Sequence, residues 1–268
     1  GESNMSDKSI AGSIHSYIND KVGYIILDNP DRLNAISLSM WEQIGSSLEE
    51  YKNNKDIRCV VLRGKGNKAF SAGADISEFN NNRSRKDAVL KYDNVSKNSL
   101  KILQSFSKPT VALIDGYCIG GGLATALSCD IRLSSLKSTF AIPAAKLGLA
   151  YDYEGIKRLR DIVGPARAKY IFFTARQFSS NEAIQMGIVE QVFEESSFEK
   201  DTKKVLNSII GNAPLTITSA KLAIDANPED KKLYEKCKEL EKVCFASKDY
   251  EEGRLAFNEK RTPIFKGR

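Results

Sequence analysis

The chain has 268 residues, of which 41% are hydrophobic and 28% are charged, a composition typical of a globular protein with a sizeable core rather than of a disordered or fibrous one. Its 40 basic and 34 acidic residues give a net charge of +6, but the two signs are interspersed, which disfavours a nucleic-acid-binding patch and suits a polyanionic small ligand. There is a single histidine, His15, so His-rich metal sites and Ser-His-Asp or Cys-His triads are not expected.

The cysteines and the hydropathy pattern bear on the cellular compartment. The chain has five cysteines, an odd number, and no pair of them is spaced as CxxC, which indicates reduced thiols in a cytoplasmic protein without a metal site. No run of about 18 apolar residues and no signal-peptide pattern is present, so neither a membrane span nor export is expected. Residues 1–4, which precede Met5, are interpreted as a cloning remnant.

Predicted strands and helices alternate through the first part of the chain. Alternating apolar residues over 14–18 and an apolar run over 22–27, joined by a polar turn, predict a β-hairpin. Apolar residues at helical spacing then predict a helix over 40–52, capped by a nearby serine. A short buried strand is expected over 59–62.

The later elements follow the same alternation before the pattern becomes helical. They are a helix over 86–106, a strand over 110–114, a helix ending near 129, strands over 131–133 and 139–142, and helices over 166–174 and 180–186. From about residue 198 the pattern is almost entirely helical, with an apolar stripe of Leu233, Cys237, Leu240 and Cys244. We therefore expect an α/β core over 5–200 and a helical subdomain over 201–268.

A glycine-rich turn lies between the strand at 110–114 and the helix after it. Its sequence, Gly116-x-x-x-Gly120-Gly121-Gly122, is neither the GxGxxG of dinucleotide-binding folds nor a P-loop. Glycines at a helix start can leave unpaired N–H groups that stabilise a developing oxyanion, or they can simply let the helix pack closely on a sheet. A second small-residue turn, Ala72-Gly73-Ala74-Asp75, could direct another N–H into the same cleft, and two such amides can hold a carbonyl oxygen that becomes an enolate.

These turns and several further segments resemble the enoyl-CoA hydratase/isomerase, or crotonase, superfamily over nearly the whole chain. The matching segments, in family order and spacing, are residues 34–36, 68–76, 108–110, 115–122, 129–130, 147–149, 158–159, 187–189 and 257–261. The resemblance implies an α/β fold built as a crotonase-type spiral of ββα units with a C-terminal helical trimerisation region. It also implies a homotrimer or a dimer of trimers, an acyl-CoA thioester as substrate, no permanently bound cofactor, and no nucleic-acid or membrane partner.

The resemblance also assigns roles to single residues. The backbone amides of Ala74 and Gly121 would form an oxyanion hole around the thioester oxygen. The residues implied to lie along the CoA are Arg32, Leu33, Ala35, Lys68, Ala72, Asp75, Ile76, Ile119 and Gly120. Phe257 and Lys260 would reach the CoA of a neighbouring subunit, although an ordinary surface role fits Lys68 and Lys260 equally well.

The sequence departs from the family at two positions that carry the chemistry of hydration. Hydratases of this family use two glutamates, one shortly after the Gly-Gly-Gly run and one after the proline of a Phe-x-x-Pro-Glu segment. Here these positions are Ala124 and Ala144, and alanine can neither activate water nor deliver a proton. Hydration by two carboxylates is therefore not expected.

Three residues of the segment 149–155 are candidates for other acyl-CoA chemistry. Tyr151 lies where a methylmalonyl-CoA decarboxylase branch of the family also has a tyrosine, which would hold a departing carboxylate; alternatively, it only fills the pocket. Asp152 and Glu154 are acid/base candidates for double-bond isomerisation, although acids at a helix start are more often caps. Decarboxylation, isomerisation, a noncanonical hydration and acyl-CoA binding without turnover all remain open.

Overall fold

The structure, a computed structural model, describes residues 12–75 and 85–268, so the predicted remnant at 1–4 lies outside it. The predicted hairpin consists of β1 (Ser13–Asn19) and β2 (Val22–Asp28), which pair antiparallel along their whole length. Asp20 and Lys21 connect the strands with φ angles of 48° and 65°, as the twist of a tight two-residue turn requires.

The helix predicted over 40–52 is α1 (Leu38–Asn53). It begins two residues earlier than expected because the side chain of Ser37 accepts a hydrogen bond from Met40 N at 3.2 Å and caps the helix. Its apolar face is buried against the hairpin.

The order of two strands and a helix then recurs along the chain. The second unit contains β3 (Cys59–Gly64), β4 (Ala69–Ser71) and α2 (Arg85–Gln104); the third contains β5 (Thr110–Ile114), β6 (Tyr117–Ile119) and α3 (Gly121–Leu127); the fourth contains β7 (Ile131–Ser135), β8 (Thr139–Ala141) and α4 (Ala144–Leu147). Helices α5 (Tyr153–Val163) and α6 (Pro165–Thr174), strand β9 (Phe178–Ser179), helix α7 (Ser180–Met186) and strand β10 (Gln191–Phe193) follow. Most predicted elements are confirmed to within two residues, and α2 and α3 each end two residues earlier than predicted.

The units contribute their strands to two sheets. The larger sheet has the order β1-β2-β3-β5-β7-β10 and is parallel except for the β1–β2 hairpin. The smaller sheet has the order β4-β6-β8-β9, with only β8 and β9 antiparallel. In the second, third and fourth units the chain passes from the larger sheet to the smaller one and then into a helix, so the units advance in one direction as a spiral.

The larger sheet separates two apolar clusters. Val60 and Leu62 of β3 belong to the cluster beneath α1, whereas Cys59 and Val61 belong to a second cluster with Phe198 and Leu206. This alternation follows from the two-residue period of a strand, whose side chains point to opposite faces. Both faces of the sheet are therefore covered.

Four helices form the C-terminal part: α8 (Phe198–Gly211), α9 (Pro214–Asp225), α10 (Lys231–Phe245) and α11 (Lys248–Asn258). The predicted division at residue 201 falls inside α8, which packs against β3 and β7, and it stays a prediction. On α10 the four residues of the predicted apolar stripe are half-buried and all the others are exposed. Because α10 packs mainly against α9, the stripe is the helix-packing face that its spacing indicated.

Three features that the composition addressed, namely membrane-spanning helices, metal-binding groups and cysteines, can be examined in residues 12–75 and 85–268. No helix in these residues is long and apolar enough to cross a bilayer. They hold no group of three or more His, Cys, Asp or Glu side chains suited to a metal ion. All five cysteines are free, and Cys59, Cys118 and Cys129 are buried.

Candidate active site

Two loops that are far apart in the sequence meet at the ends of β4 and β6. The strands pair in parallel, with Ala69 opposite Tyr117 and Ser71 opposite Cys118, so the loops that follow them emerge side by side. A Cβ built on Gly122 would lie 2.0 Å from the carbonyl oxygen of Ser71. Only glycine therefore allows α3 to begin this close to β4.

The backbone on both sides of Ala74 is held by Ile36. Ile36 N donates to Gly73 O at 2.8 Å, and Asp75 N donates to Ile36 O at 3.0 Å. In such a parallel bridge the peptide N–H of Ala74 faces away from Ile36. Ala74 is an exposed residue. Within the described chain this N–H donates to no acceptor.

The amide of Gly121 opens into the same space. A Cβ built on Gly121 would lie 3.7 Å from Ala74 N, and one built on Gly73 would lie 3.7 Å from Gly121 N, so the two amide nitrogens border one small volume. Gly121 is the first residue of α3, and its N–H likewise has no acceptor among residues 12–75 and 85–268. Gly73 and Gly120 have φ angles of 119° and 57°, which residues with side chains rarely adopt. Two free N–H donors, one of them at the positive end of a helix, suit an oxygen that gains negative charge.

Two arginines to which the sequence analysis assigned no role hold the other end of α3. Arg132, which is 3% exposed, donates to Ala126 O at 3.2 Å and to Cys129 O at 2.8 Å. Arg158 donates from Nε to Leu127 O at 2.6 Å. Cations at the carbonyl end of a helix satisfy its last carbonyls and favour its dipole, so they fix α3 relative to the sheet. A charged residue inside an apolar strand was the only sequence signal for Arg132.

The predicted CoA-binding residues of the first three units lie near these loops, with two exceptions. Ala35 and Asp75 are buried, Leu33, Ala72, Ile119 and Gly120 are half-buried, and Arg32 and Lys68 are exposed. Leu33 O accepts from Ala72 N at 2.9 Å, and Arg32 Nε lies 3.9 Å from a carboxylate oxygen of Asp75. Lys68 precedes β4, at the end of the strand opposite to the amides, and Ile76 lies outside the described residues.

Phe257 and Lys260 are not brought to these loops within one chain. Phe257, near the end of α11, is 84% exposed and lines a cavity of about 750 Å³ bounded by α9, α10 and α11. Neither amide loop lines that cavity. Lys260 follows α11 and is exposed. A contact with a neighbouring subunit therefore stays a prediction for both residues.

The two alanines occupy different surroundings. Ala124 lies one turn into α3 and lines a cavity of about 300 Å³ between α2, α3 and α5. Asp152 and Glu154 line the same cavity. Ala144 begins α4 and packs against the apolar core. The only carboxylates beside Ala124 among the residues that line this cavity are thus those of Asp152 and Glu154.

Tyr151 is packed but keeps a free hydroxyl. Its ring meets Phe172 edge-on, with centroids 5.1 Å apart, and a Cβ on Gly155 would lie 2.6 Å from Tyr151 Cε1. Burial, together with the charge of Asp152, raises the pKa of Tyr151 above its ordinary value. The hydroxyl makes no hydrogen bond to a described residue, so it is a neutral donor available to a bound group.

Asp152 is the N-cap of α5. Its Oδ2 accepts a hydrogen bond from Gly155 N at 3.2 Å, which is the capping role that the sequence left as the alternative. This bond uses one carboxylate oxygen and leaves Oδ1 for other partners. Glu154 lies in the first turn of α5 and is exposed.

Comparisons with known proteins give one consistent family. The family model described as enoyl-CoA hydratase/isomerase matches residues 17–268. Similar proteins include the short-chain-enoyl-CoA hydratase of Clostridium acetobutylicum, 32% identical with coverage of 90% of this chain and 92% of that one. The methylmalonyl-CoA decarboxylase of Escherichia coli is 30% identical, with coverage of 94% and 99%. A solved enoyl-CoA hydratase/carnithine racemase from Magnetospirillum magneticum has a TM-score of 0.87 at 32% identity, covering 95% of this chain and 96% of its own.

The chain therefore belongs to the enoyl-CoA hydratase/isomerase family, within the crotonase superfamily. The predicted fold class, a mixed α/β spiral followed by C-terminal helices, is confirmed by the architecture and by these structures.

Proposed function

We propose that the protein is an enzyme that binds an acyl-CoA thioester and stabilises its enolate with the backbone amides of Ala74 and Gly121. The observation that carries this proposal is that the two N–H groups face one opening and donate to no acceptor in the described chain. The similar proteins named above are, by their names, a hydratase of enoyl-CoA and a decarboxylase of methylmalonyl-CoA, which supports a CoA thioester as substrate.

The two amides would act on the thioester oxygen. When a bond at the adjacent carbon breaks heterolytically, the electron pair passes to that oxygen and an enolate forms. Backbone donors held by the fold need no reorganisation as this charge develops. In known enzymes, removing one such donor lowers kcat roughly 10²–10³-fold. The dipole of α3 adds to the effect at Gly121. This chemistry requires no permanently bound cofactor.

The first candidate reaction is the loss of CO₂ from a 2-carboxyacyl thioester. The bond between C2 and the carboxylate breaks, the electron pair enters the enolate as CO₂ leaves, and C2 then takes up a proton from solvent water. The Tyr151 hydroxyl, neutral and without a partner in the described chain, would donate to the carboxylate and hold it out of the plane of the carbonyl. This reaction needs no carboxylate at Ala124 or Ala144.

The second candidate reaction is the shift of a double bond within the acyl group. Moving one proton between two carbons takes a single acid/base group. The cavity that Ala124 shares with Asp152 and Glu154 favours this candidate, because it places carboxylates beside the position that lacks one.

The assembly is proposed to be a homotrimer or a dimer of trimers. In such an assembly Phe257 and Lys260, which one chain does not bring to its own amide loops, would contact the CoA held by a neighbouring subunit. The exposure of Phe257 supports this role.

A panel of CoA thioesters with products identified by mass tests the proposal. Methylmalonyl-CoA, a 3-enoyl-CoA and crotonyl-CoA are incubated separately with the full chain, and we expect propionyl-CoA and CO₂ from the first. Conversion of the 3-enoyl-CoA alone would favour isomerisation. Rapid hydration of crotonyl-CoA would overturn the role given to Ala124 and Ala144, and binding without any turnover would define an acyl-CoA binder.

A further inference from the structure

We infer that Asn29 and Asn34 are positioning residues that hold the Ala74 N–H at the angle which the enolate oxygen requires. The inference rests on the proposed function, since it concerns one of the two amides proposed there. Asn29 and Asn34 are 2% and 4% exposed, and they lie behind the amide loop rather than in its opening.

The two asparagines close a turn with an uncommon backbone. Leu33 and Asn34 both have positive φ, 50° and 58°, a left-handed conformation that non-glycine residues seldom adopt in succession. Asn29 holds the turn from its other end: its carbonyl accepts from Arg32 N at 3.1 Å and from Asn34 N at 2.9 Å, and its own N–H donates to Asn34 Oδ1 at 3.0 Å.

The side chains then fasten this turn to both ends of the segment 69–75. Asn34 Nδ2 donates to Ala69 O at 2.8 Å, at the start of β4. Asn29 Nδ2 donates to Asp75 Oδ2 at 2.8 Å, directly after Ala74. The two amide groups therefore span the loop that carries the proposed donor.

Leu33 and Ile36, which lie in and just after this turn, also bind the loop that carries Ala74. Leu33 O accepts from Ala72 N, and Ile36 binds the backbone on both sides of Ala74. These acceptors and donors are correctly placed only while residues 33 and 34 stay left-handed. Without the asparagine side chains the turn would relax, Ile36 would shift, and the N–H of Ala74 would lose its fixed direction.

A purely structural role would have a different signature. Buried amides must be hydrogen-bonded in any fold, so a loss of stability alone would not distinguish the two roles. The polarisation of a bound thioester carbonyl does distinguish them, because it depends on the direction and distance of the N–H groups. Hydrogen bonding to a carbonyl oxygen lowers its stretching frequency.

Asn34→Asp is the discriminating variant. It keeps the shape of the side chain, the acceptor towards Asn29 N and a residue type that tolerates positive φ, and it replaces the donor towards Ala69 O by an oxygen. The probe is butyryl-CoA labelled with ¹³C at the carbonyl, a saturated thioester, measured by infrared difference spectroscopy. Kinetics are recorded on whichever substrate of the panel the wild type converts.

We expect the carbonyl stretch in Asn34→Asp to move part of the way back to its value in water. We also expect kcat to fall roughly 10- to 100-fold, less than for complete loss of a donor, with KM changed by no more than about threefold. Asn29→Ala, which removes the bond to Asp75, should shift both quantities in the same direction and serves if Asn34→Asp does not fold.

Leu206→Ala is the matched control. Leu206 is 2% exposed and belongs to the cluster on the other side of the larger sheet, so the variant loses stability without touching the turn. Its carbonyl stretch and kcat should equal those of the wild type. Asparagine variants that are folded and keep the wild-type stretch and kcat would overturn the inference. A wild type that binds butyryl-CoA with an unshifted carbonyl would instead overturn the proposed function, and the inference with it.

Discussion

At the scale of single residues, the proposed chemistry depends on which side chains are present at a few positions of the candidate site. In the proposed function, Ala124 and Ala144 provide no proton-transfer group for hydration, while Tyr151 provides a hydroxyl that makes no hydrogen bond to a described residue. The environment of Tyr151 keeps this hydroxyl protonated, because burial and the neighbouring charge of Asp152 both raise its pKa. Its proposed role is therefore that of a hydrogen-bond donor and not of an anionic base.

Tyr151→Phe removes the hydroxyl and retains the ring that packs against Phe172. If the protein decarboxylates a 2-carboxyacyl thioester, CO₂ release should fall about 100-fold or more, while the Kd for CoA is unchanged. Tyr234→Phe, on the exposed side of α10, is the control and should behave as the wild type. Undiminished CO₂ release in Tyr151→Phe would show that Tyr151 only fills the pocket.

At the scale of elements, the site depends on how closely α3 approaches β4 and on how α2 supports the turn before the amide loop. The approach of α3 is possible because Gly122 has no side chain facing Ser71 O. From α2, the Tyr92 hydroxyl donates to Ile36 O at 2.6 Å and accepts from Trp41 Nε1 at 3.0 Å. Each contact joins elements that are distant in sequence, so each couples the geometry of the loop to global stability.

Gly122→Ala should be strongly destabilising, because the added Cβ would meet a backbone oxygen at 2.0 Å and one of the two elements must move. We expect a loss of about 3 kcal/mol in the free energy of unfolding, measured by urea denaturation. Gly211→Ala at the end of α8 is the control, since a Cβ there has nothing within 4 Å. Equal stability of the two variants would contradict the close approach of α3 to β4.

The raised pKa of Tyr92 leads to a prediction of how the stability of the protein changes at alkaline pH. Burial raises its pKa to about 12, whereas an unfolded tyrosine ionises near pH 10. The stability that this pKa difference gives the folded protein is therefore complete below about pH 10 and is lost as the pH rises towards 12. In that range the unfolded chain releases a proton that the folded chain retains. Tyr92→Phe should lower the free energy of unfolding by about 1–2 kcal/mol at pH 8. The difference in this free energy between the variant and the wild type should become smaller above pH 10. A deficit that stays constant from pH 8 to 11 in denaturant titrations would contradict this assignment.

At the scale of the whole molecule, the C-terminal helices and the segment that follows them leave large apolar side chains exposed. Phe257, Ile264 and Phe245 are 84%, 70% and 66% exposed. Large apolar side chains exposed together on one part of a surface are typical of contact surfaces, and Phe245 and Phe257 line the same cavity. This exposure supports the proposed trimer, in which subunits would cover one another through these helices.

Sedimentation at micromolar concentration should give a mass of three or six chains.

In the assembled enzyme Lys260→Gln should raise KM for the CoA substrate several-fold with little change in kcat, because the lysine is proposed to contact the CoA and not the acyl group. Lys238→Gln, on the exposed face of α10, is the charge-matched control. A fully active monomer would contradict the assembly and the role of Lys260 together.

Local pattern in the sequence was enough to locate most elements and the candidate amides. The hairpin, the helix capped near Ser37 and the strand at 110–114 follow from periodicity and capping, which depend on neighbouring residues only. Ala74 and Gly121 could be named because small residues mark tight turns and because their motifs match a family. The substitutions at Ala124 and Ala144 are likewise visible in the sequence alone.

The tertiary structure decided which of these residues come together. Nothing local indicates that Asn29 bonds to Asp75, that Arg132 holds the end of α3, or that Asp152 shares a cavity with Ala124. Lys68, a motif match, proved to lie at the far end of β4 from the amides. Sequence patterns report short-range preferences, whereas the directions of backbone N–H groups and the partners of buried polar groups are set by contacts between distant segments, which form only when the chain has folded.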